Sequence, residues 1–151
     1  MTGMAKKSAI ILMADDDEDD CLLVGEALKK NQMVKELRFV SDGKELMEYL
    51  HGCNNSTDTP CPDLILLDLN MPMQNGRETL REIKADLRFK SIPVVILTTS
   101  KAERDIKLCY GLGANAYIIK PMSFEGLAET LQCLGEFWFR FATLSKSDRK
   151  P

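Results

Sequence analysis

The sequence predicts an α/β domain with a parallel sheet, because short apolar runs alternate along the chain with amphipathic segments. The runs lack polar alternation, which is typical of strands buried on both faces of a parallel sheet. They cover residues 9–14, 37–40, 64–67, 94–97 and 116–119. Strand and helix follow each other five times, which indicates right-handed crossover connections.

The segments between these runs have apolar residues at spacings of three and four, as expected for helices that pack one face on a sheet. Cys21, Val24 and Leu28 show this spacing in the first such segment. A last helix is predicted to start near Ser123, and its apolar stripe is Phe124, Leu127, Leu131, Leu134, Trp138 and Phe141.

The length of 151 residues and the hydrophobic content of 44% suit one domain with a substantial core. We expect this domain to cover residues 8–143, with short flexible tails at 1–7 and 144–151. A Gly, Asn, Ser, Thr and Pro-rich stretch at 52–62 predicts a surface loop, in which Cys53 and Cys61 need no special role.

Charge and hydropathy exclude two classes of partner. The net charge of −3 argues against a nucleic-acid binder, which would show clustered Lys and Arg. The longest apolar runs fall far short of the roughly 20 residues that span a bilayer. Five cysteines without CxxC pairing, and no secretory leader pattern, favour a reducing cytoplasm.

Six consecutive acids, residues 15–20, follow the first strand. In a parallel sheet, ligands bind at the carboxyl ends of the strands. Asp15 and Asp16 fall at the strand tip, where two adjacent carboxylates favour a hard cation. The acids from 17 to 20 have a simpler explanation, since Asp near a helix start caps free N–H groups.

The third strand runs directly into Asp68. A carboxylate that ends a buried strand needs compensation for its charge, and a cation would provide it. Mg²⁺ takes carboxylate oxygens, waters and phosphate oxygens, so Asp15, Asp16 and Asp68 could hold it, with the backbone carbonyl of Asn70 as a further ligand.

Two more strands bring Thr98 and Lys120 to the same edge. Each has an ordinary explanation, Thr98 as a helix cap and Lys120 as a solvated lysine. Beside three carboxylates, however, a hydroxyl and an ammonium can bind a phosphoryl group. The chemistry that fits is phosphoryl transfer, with Asp68 as the nucleophile and no general base required.

These residues together resemble the response-regulator receiver family, over about residues 8–142. Its marks are an acidic pair after the first strand, an Asp-x-x-Met-Pro string, a Thr and a Lys-Pro, found here as Asp15 and Asp16, residues 68–72, Thr98, and Lys120 with Pro121. The resemblance implies a flavodoxin-like five-stranded sheet of order 2-1-3-4-5 with five flanking helices.

The resemblance also implies a mechanism. Asp68 would accept a phosphoryl group from a sensor histidine kinase, and the protein would act as a phosphoacceptor with slow autodephosphorylation rather than as an enzyme. The face of the fourth helix, fifth strand and fifth helix would rearrange. Thr98 would move toward the phosphoryl group, and Tyr117, alternatively a simple core tyrosine, would turn inward. With no effector domain seen, output would pass either through binding of another protein or through return of the phosphate along a relay.

A narrower resemblance points to the single-domain regulators of bacterial and cyanobacterial phytochromes. It rests on Asp42-Gly43, the strings at 67–72 and 97–100, and a Phe-Trp near the end. The chain departs from many members in having Ala14 and Asp15 where they have Val and Glu. Both acids can hold Mg²⁺, so a phytochrome kinase is a candidate partner.

The last helix has more aromatic residues than one sheet face can cover. Either all pack in the core, or some are exposed at an interface; we expect Phe137, Trp138 and Phe141 to form a homodimer contact.

Three other hypotheses explain less. A haloacid-dehalogenase-type phosphohydrolase would need an acid where Asn70 stands. A calcium loop starting at Asp15 would need Gly where Asp20 stands. A dinucleotide fingerprint at Gly111 and Gly113 would have to follow a strand. The remaining alternative is a receiver-like interaction module that works without phosphorylation.

Overall fold

The computed structural model describes residues 9–29, 34–55 and 58–141. Strands and helices alternate from the first to the last element, as the apolar pattern predicts. The strands are β1 (Ala9–Ala14), β2 (Val34–Val40), β3 (Leu64–Leu67), β4 (Val94–Thr98) and β5 (Ala116–Ile119). The helices are α1 (Glu18–Lys29), α2 (Gly43–Asn55), α3 (Gly76–Ala85), α4 (Glu103–Leu112) and α5 (Phe124–Gly135).

The five strands form one parallel sheet in the order β2-β1-β3-β4-β5. This confirms the flavodoxin-like architecture. The order reverses between β1 and β3, which are hydrogen-bonded neighbours with Ala14 opposite Leu67. Both strands therefore end side by side, and the residues that follow them open into the crevice where ligands of such sheets bind.

The core consists of two apolar clusters, one on each face of the sheet. Side chains alternate between faces along a strand, so Leu12 and Ile65 lie in one cluster while Ile11 and Leu64 lie in the other. The first cluster includes buried residues of α2 and α3, and the second includes those of α1 and α5. All four residues of β3 are buried, which explains its unbroken apolar sequence.

Local signals fix several helix ends. Asn75 and Glu78 form a capping box at the start of α3, and the Ser123 hydroxyl accepts the N–H of Gly126 at the start of α5. Gly113 ends α4 with a φ of 110°, a left-handed conformation that favours glycine. Gly113 therefore caps α4, whereas Gly111 lies inside the helix.

The prediction for residues 52–62 is wrong in two respects. Helix α2 continues to Asn55, so the first part of the segment is helical. Cys53 and Cys61 are paired in a disulfide with 5.1 Å between their Cα atoms, contrary to the expectation that they need no special role. Both are buried against the first core cluster, where the end of α2 and the approach to β3 meet.

The last helix also differs from its predicted form. It is α-helical only to Gly135 and continues as a π-helical segment, Glu136–Phe141. A π-helix has a wider turn, so the spacing of three and four no longer defines one face. Trp138 packs against the second core cluster and Phe137 is 56% exposed, whereas the side chain of Phe141 lies outside the described residues.

None of the helices within residues 9–29, 34–55 and 58–141 has the length and apolar character needed to cross a bilayer.

Candidate functional site

Three carboxylates converge at the carboxyl edge of the sheet. Asp15 and Asp16 follow β1 and Asp68 follows β3, and one oxygen from each lies within 4.8 Å of the others. Asp15 and Asp68 are buried, at 3% and 8% exposure, while Asp16 is exposed. The structure thus brings the three carboxylates together, and this donor set suits a hard divalent cation.

The Asp15 carboxylate is held by both of its oxygens. Oδ1 accepts the N–H of Asp17 at 2.9 Å, and Oδ2 accepts Lys120 Nζ at 2.7 Å. Burial raises the pKa of Asp15 to about 6, despite the opposing effect of the Lys120 and Asp17 hydrogen bonds. A buried carboxylate of this kind favours a positive charge nearby.

Lys120, at the end of β5, provides such a charge. Its Nζ lies 2.7 Å from Asp15 Oδ2, 2.6 Å from Asp20 Oδ2 and 3.8 Å from Asp68 Oδ2. Burial alone would lower the pKa of Lys120, but hydrogen bonds to Asp15 and Asp20 and the charge of Asp68 raise it above its ordinary value. The ammonium thus stays charged in the middle of the acidic cluster.

Asp68 is positioned by the backbone on both sides of it. Its N–H donates to Ala14 O at 3.0 Å, and its Oδ1 accepts the N–H of Leu69 at 2.8 Å. A Cβ atom at Gly76 would overlap with the Asp68 carbonyl and Leu69, so only glycine allows α3 to begin this close to the strand end. Oδ2 of Asp68 faces Lys120 without a hydrogen bond to it.

Thr98 and Tyr117 both contact Ser100, in the loop between β4 and α4. Ser100 N–H donates to Thr98 Oγ1 at 3.4 Å, and Tyr117 OH donates to Ser100 O at 3.0 Å. Thr98 is fully buried and its carbonyl accepts the N–H of Lys120, which links the ends of β4 and β5. The phenol of Tyr117 is half-buried and turned toward this loop.

Asn70 lies two residues after Asp68 and is exposed. The acidic run divides as expected in part, since Asp17 Oδ1 accepts the N–H groups of Asp19 and Asp20 at the start of α1. The side chain of Asp20, however, reaches Lys120. Sequence reasoning assigned Asp20 to capping and missed this role.

Comparison with known proteins supports the assignment that the geometry suggests. The family model for the response regulator receiver domain matches residues 11–132, most of the chain. The chain belongs to this receiver family. A curated relative, response regulator Rcp1 of Synechocystis, is 38% identical over 144 residues, covering 95% of this receiver and 98% of the relative.

Two solved structures resemble this receiver in fold and in sequence. One is the phosphorylated cyanobacterial phytochrome response regulator RcpA, at 41% identity and a TM-score of 0.87, covering 92% of this chain and 99% of that one. The other is the Mn²⁺-bound form of Rcp1, at 39% identity and a TM-score of 0.84, covering 91% and 99%. The acidic cluster of this receiver thus belongs to a fold that holds a divalent metal in at least one relative.

Proposed function

We propose that this receiver accepts a phosphoryl group on Asp68 from the phosphohistidine of a sensor kinase and signals through the resulting change in shape. The observation that carries the proposal is the joint placement of three carboxylates within 4.8 Å and of Lys120 Nζ 3.8 Å from Asp68 Oδ2. Carboxylates gathered around one ammonium favour binding of a cation and a phosphoryl group rather than fold stability alone.

Mg²⁺ is the cation we assign to Asp15, Asp16, Asp68 and the Asn70 carbonyl. The donors fit, because the carboxylates of the adjacent residues Asp15 and Asp16 lie close to that of Asp68 at the end of β3. Asp15 and Asp68 are buried. A cation bound here would neutralise charge on the phosphoryl oxygens and on the carboxylates. The Mn²⁺-bound relative supports a divalent metal in this fold.

The residues of the chain divide the remaining work. An Asp68 oxygen attacks phosphorus, the bond from phosphorus to the histidine nitrogen breaks, and the imidazole leaves with the electron pair. Lys120 and the Thr98 hydroxyl bind oxygens of the transferred group. Asn70 stands where a hydrolase would place an acid, so we infer that hydrolysis of phospho-Asp68 is slow and unaided by a side-chain base.

The relatives guide the choice of partner. RcpA is described as a phytochrome response regulator, and a structure at 34% identity is described as acting in red-light signalling of R. palustris. We propose a histidine kinase of the phytochrome type as the donor, in the cytoplasm. The net charge of −3 does not favour direct contact with nucleic acid.

We also propose a homodimer that uses the π-helical segment after α5. Phe137 is 56% exposed, and its ring contacts that of Trp138 edge to face, with 5.2 Å between the ring centroids. The partly buried Trp138 therefore packs against an aromatic ring that faces solvent. Phe137→Ser should shift a dimer toward monomer in size-exclusion chromatography with light scattering, whereas Phe124→Ser, at the start of α5, should not. Equal masses for both variants and the native chain would contradict this interface.

The central test is intact mass after incubation with Mg²⁺ and phosphoramidate, a small donor that replaces the kinase. The native chain should gain one phosphoryl group, and EDTA should abolish the gain. Asp68→Asn should gain none. Asp63→Asn is the matched control, since Asp63 is a buried aspartate at the opposite end of the same strand; it should gain the group at the native rate.

A gain that persists in Asp68→Asn would place the acceptor elsewhere. No gain under any condition would contradict the phosphoacceptor function and leave the receiver as an interaction module that works without phosphorylation.

A further inference from the structure

An ion pair between α3 and α4 lies beside the site and has no part in the function proposed above. Arg77 Nε donates to Asp105 Oδ1 and Arg77 Nη2 donates to Asp105 Oδ2, both at 2.9 Å. The pair is bidentate, the geometry in which an arginine and a carboxylate hold each other most specifically. The Asp105 side chain is only 10% exposed and that of Arg77 only 28%.

The pair is connected to the β4–α4 loop through Ser100. The Ser100 hydroxyl donates to Asp105 Oδ2 at 2.7 Å, and it accepts the N–H of Ala102 at 3.3 Å. Asp105 Oδ2 therefore receives hydrogen bonds from Arg77 and Ser100 at once. Hydrogen bonds from Arg77, then from Ser100, hold the pKa of Asp105 below its ordinary value, so the carboxylate is charged at neutral pH.

Ser100 is also the residue that touches both Thr98 and Tyr117. Its N–H donates to Thr98 Oγ1, and its carbonyl accepts the Tyr117 hydroxyl. Asp105 thus fixes the Ser100 hydroxyl, while the Ser100 backbone contacts Thr98 and Tyr117. Both of these side chains are predicted to move on phosphorylation. The hydrogen bonds run without a break from α3 to β5.

We propose that the Arg77–Asp105 pair is a latch that, through Ser100, holds the Tyr117 hydroxyl on the β4–α4 loop and keeps Thr98 ready to bind the phosphoryl group. The latch rests on the proposed phosphoacceptor function of Asp68, and Arg77 and Asp105 act in it as positioning residues. Among the described residues, neither Arg77 nor Asp105 forms a hydrogen bond or ion pair with Asp68 or with the other predicted metal ligands.

The geometry at Thr98 shows why the latched loop favours phosphorylation. A hydroxyl has one proton to donate and two lone pairs that accept. Because Ser100 N–H occupies a lone pair of Thr98 Oγ1, the hydroxyl proton remains available for an incoming phosphoryl oxygen. The carbonyl of Ser100 accepts the Tyr117 hydroxyl, so a single conformation of this loop positions both Thr98 and Tyr117.

The alternative is that the pair only joins α3 to α4 and adds stability. Such a role would not require Tyr117 to respond when the pair is broken. The chain offers a matched control, because Arg88 and Asp86 form a second Arg–Asp pair at 2.8 Å near the far end of α3. Arg88→Gln removes the same kind of contact without touching the β4–α4 loop.

The first readout is ¹⁹F NMR of unphosphorylated protein labelled with 3-fluorotyrosine. The chain has three tyrosines, and Tyr117→Phe assigns the resonance of Tyr117. Arg77→Gln and Asp105→Asn should move or broaden that resonance, while Arg88→Gln should leave it unchanged. Arg77→Lys keeps the charge but not the bidentate contact, and should restore the native resonance in part.

The second readout is the rate of phosphorylation by phosphoramidate with Mg²⁺, followed by intact mass. Arg77→Gln should slow it about threefold or more, a size typical of mutations in a coupled network. The double variant Arg77→Gln with Asp105→Asn should be no slower than the slower single variant, because the two substitutions remove the same ion pair. Arg88→Gln should react at the native rate.

The two readouts separate the two proposals. If the native chain takes no phosphoryl group, the proposed function fails, while the NMR comparison in unphosphorylated protein still tests the latch. A Tyr117 resonance and a phosphorylation rate that are unchanged in folded Arg77→Gln would overturn the latch. So would equal changes in Arg77→Gln and Arg88→Gln, since they would show a general effect of losing an ion pair.

Discussion

Lys120 is hydrogen-bonded to Asp20 rather than to Asp68. Its Nζ lies 2.6 Å from Asp20 Oδ2 and 3.8 Å from Asp68 Oδ2, with Asp15 Oδ2 at 2.7 Å. The lysine is thus close to Asp68 but bound to its neighbours. A phosphoryl group on Asp68 would offer oxygens to an ammonium that is already in place, which limits the movement that Lys120 must make.

Lys120→Met should destabilise the protein most when no divalent cation is present. Removal of the ammonium leaves Asp15, whose side chain is fully buried, without its compensating charge, at a cost of about 3 kcal/mol. Mg²⁺ should restore part of that loss, because it supplies positive charge to the same carboxylates. Urea denaturation with and without Mg²⁺ measures both values.

Lys101→Met, at an exposed position, is the control and should change little in either condition. An equal loss for Lys120→Met with and without Mg²⁺ would contradict a cation at these carboxylates.

Gly76→Ala should weaken both stability and phosphorylation. An added methyl group would overlap with the Asp68 carbonyl and with Leu69, so the loop that carries Asp68 must shift. We expect a loss of about 2 kcal/mol, the usual size for overpacking a tight position, and slower phosphorylation by phosphoramidate. Urea denaturation and intact mass measure the two effects.

The matched control is Gly111→Ala in α4, where an added Cβ atom meets nothing within 4 Å. Alanine is the better helix former, so this variant should gain about 0.5 to 1 kcal/mol. If both glycine variants behave alike, the close approach at Gly76 does not hold Asp68 in place.

The fold and the centre of the site could be predicted from sequence for one physical reason. Buried parallel strands are apolar to their last residue, so a carboxylate such as Asp68 directly after one marks both the strand end and the site. Parallel strands end at the same edge, which places Asp15, Thr98 and Lys120 near it. The pattern along the chain therefore predicts that these four side chains lie near one another.

Contacts that depend on how helices pack against each other were not predictable in this way. Arg77 and Asp105 are 28 residues apart and look like ordinary charges at helix starts. Their pairing requires the relative position of α3 and α4, which no local spacing encodes. The change to a π-helix after Gly135 is likewise invisible to an analysis that assumes one period.

The Cys53–Cys61 disulfide should stabilise the protein measurably. It joins residues separated by eight positions, and closing a loop of that size restricts the unfolded chain by roughly 2.5 kcal/mol. Reductant should therefore lower the midpoint of urea denaturation of the native chain. The same reductant should have no effect on the variant Cys53→Ala with Cys61→Ala.

Cys133→Ser removes an exposed free thiol and should respond to reductant as the native chain does. Mass after alkylation of denatured, unreduced protein should show two protected cysteines in both. Five alkylated cysteines in native protein that has been oxidised after purification would contradict the disulfide.

Lys84 should make the protein more stable as the pH rises above 8. Burial lowers the pKa of Lys84 to about 8, from an ordinary value of 10.5. Between these two values the unfolded chain binds a proton that the folded chain has released, so the free energy of unfolding increases with pH in that window. Well below pH 8 the folded and unfolded states both carry the proton, so Lys84 no longer makes the free energy of unfolding depend on pH.

The comparison that isolates this effect is the native chain against Lys84→Met. Lys84 Nζ donates to Lys90 O, Ile92 O and Asn115 Oδ1 at 2.9 to 3.2 Å, and the variant loses these bonds at every pH. The stability difference in favour of the native chain should therefore grow between about pH 8 and about pH 9, by about 1 kcal/mol. Lys107→Met, on the exposed side of α4, should show no such trend. A difference that stays constant would mean that the three hydrogen bonds keep the ammonium charged, because a neutral amine has only two protons for three acceptors.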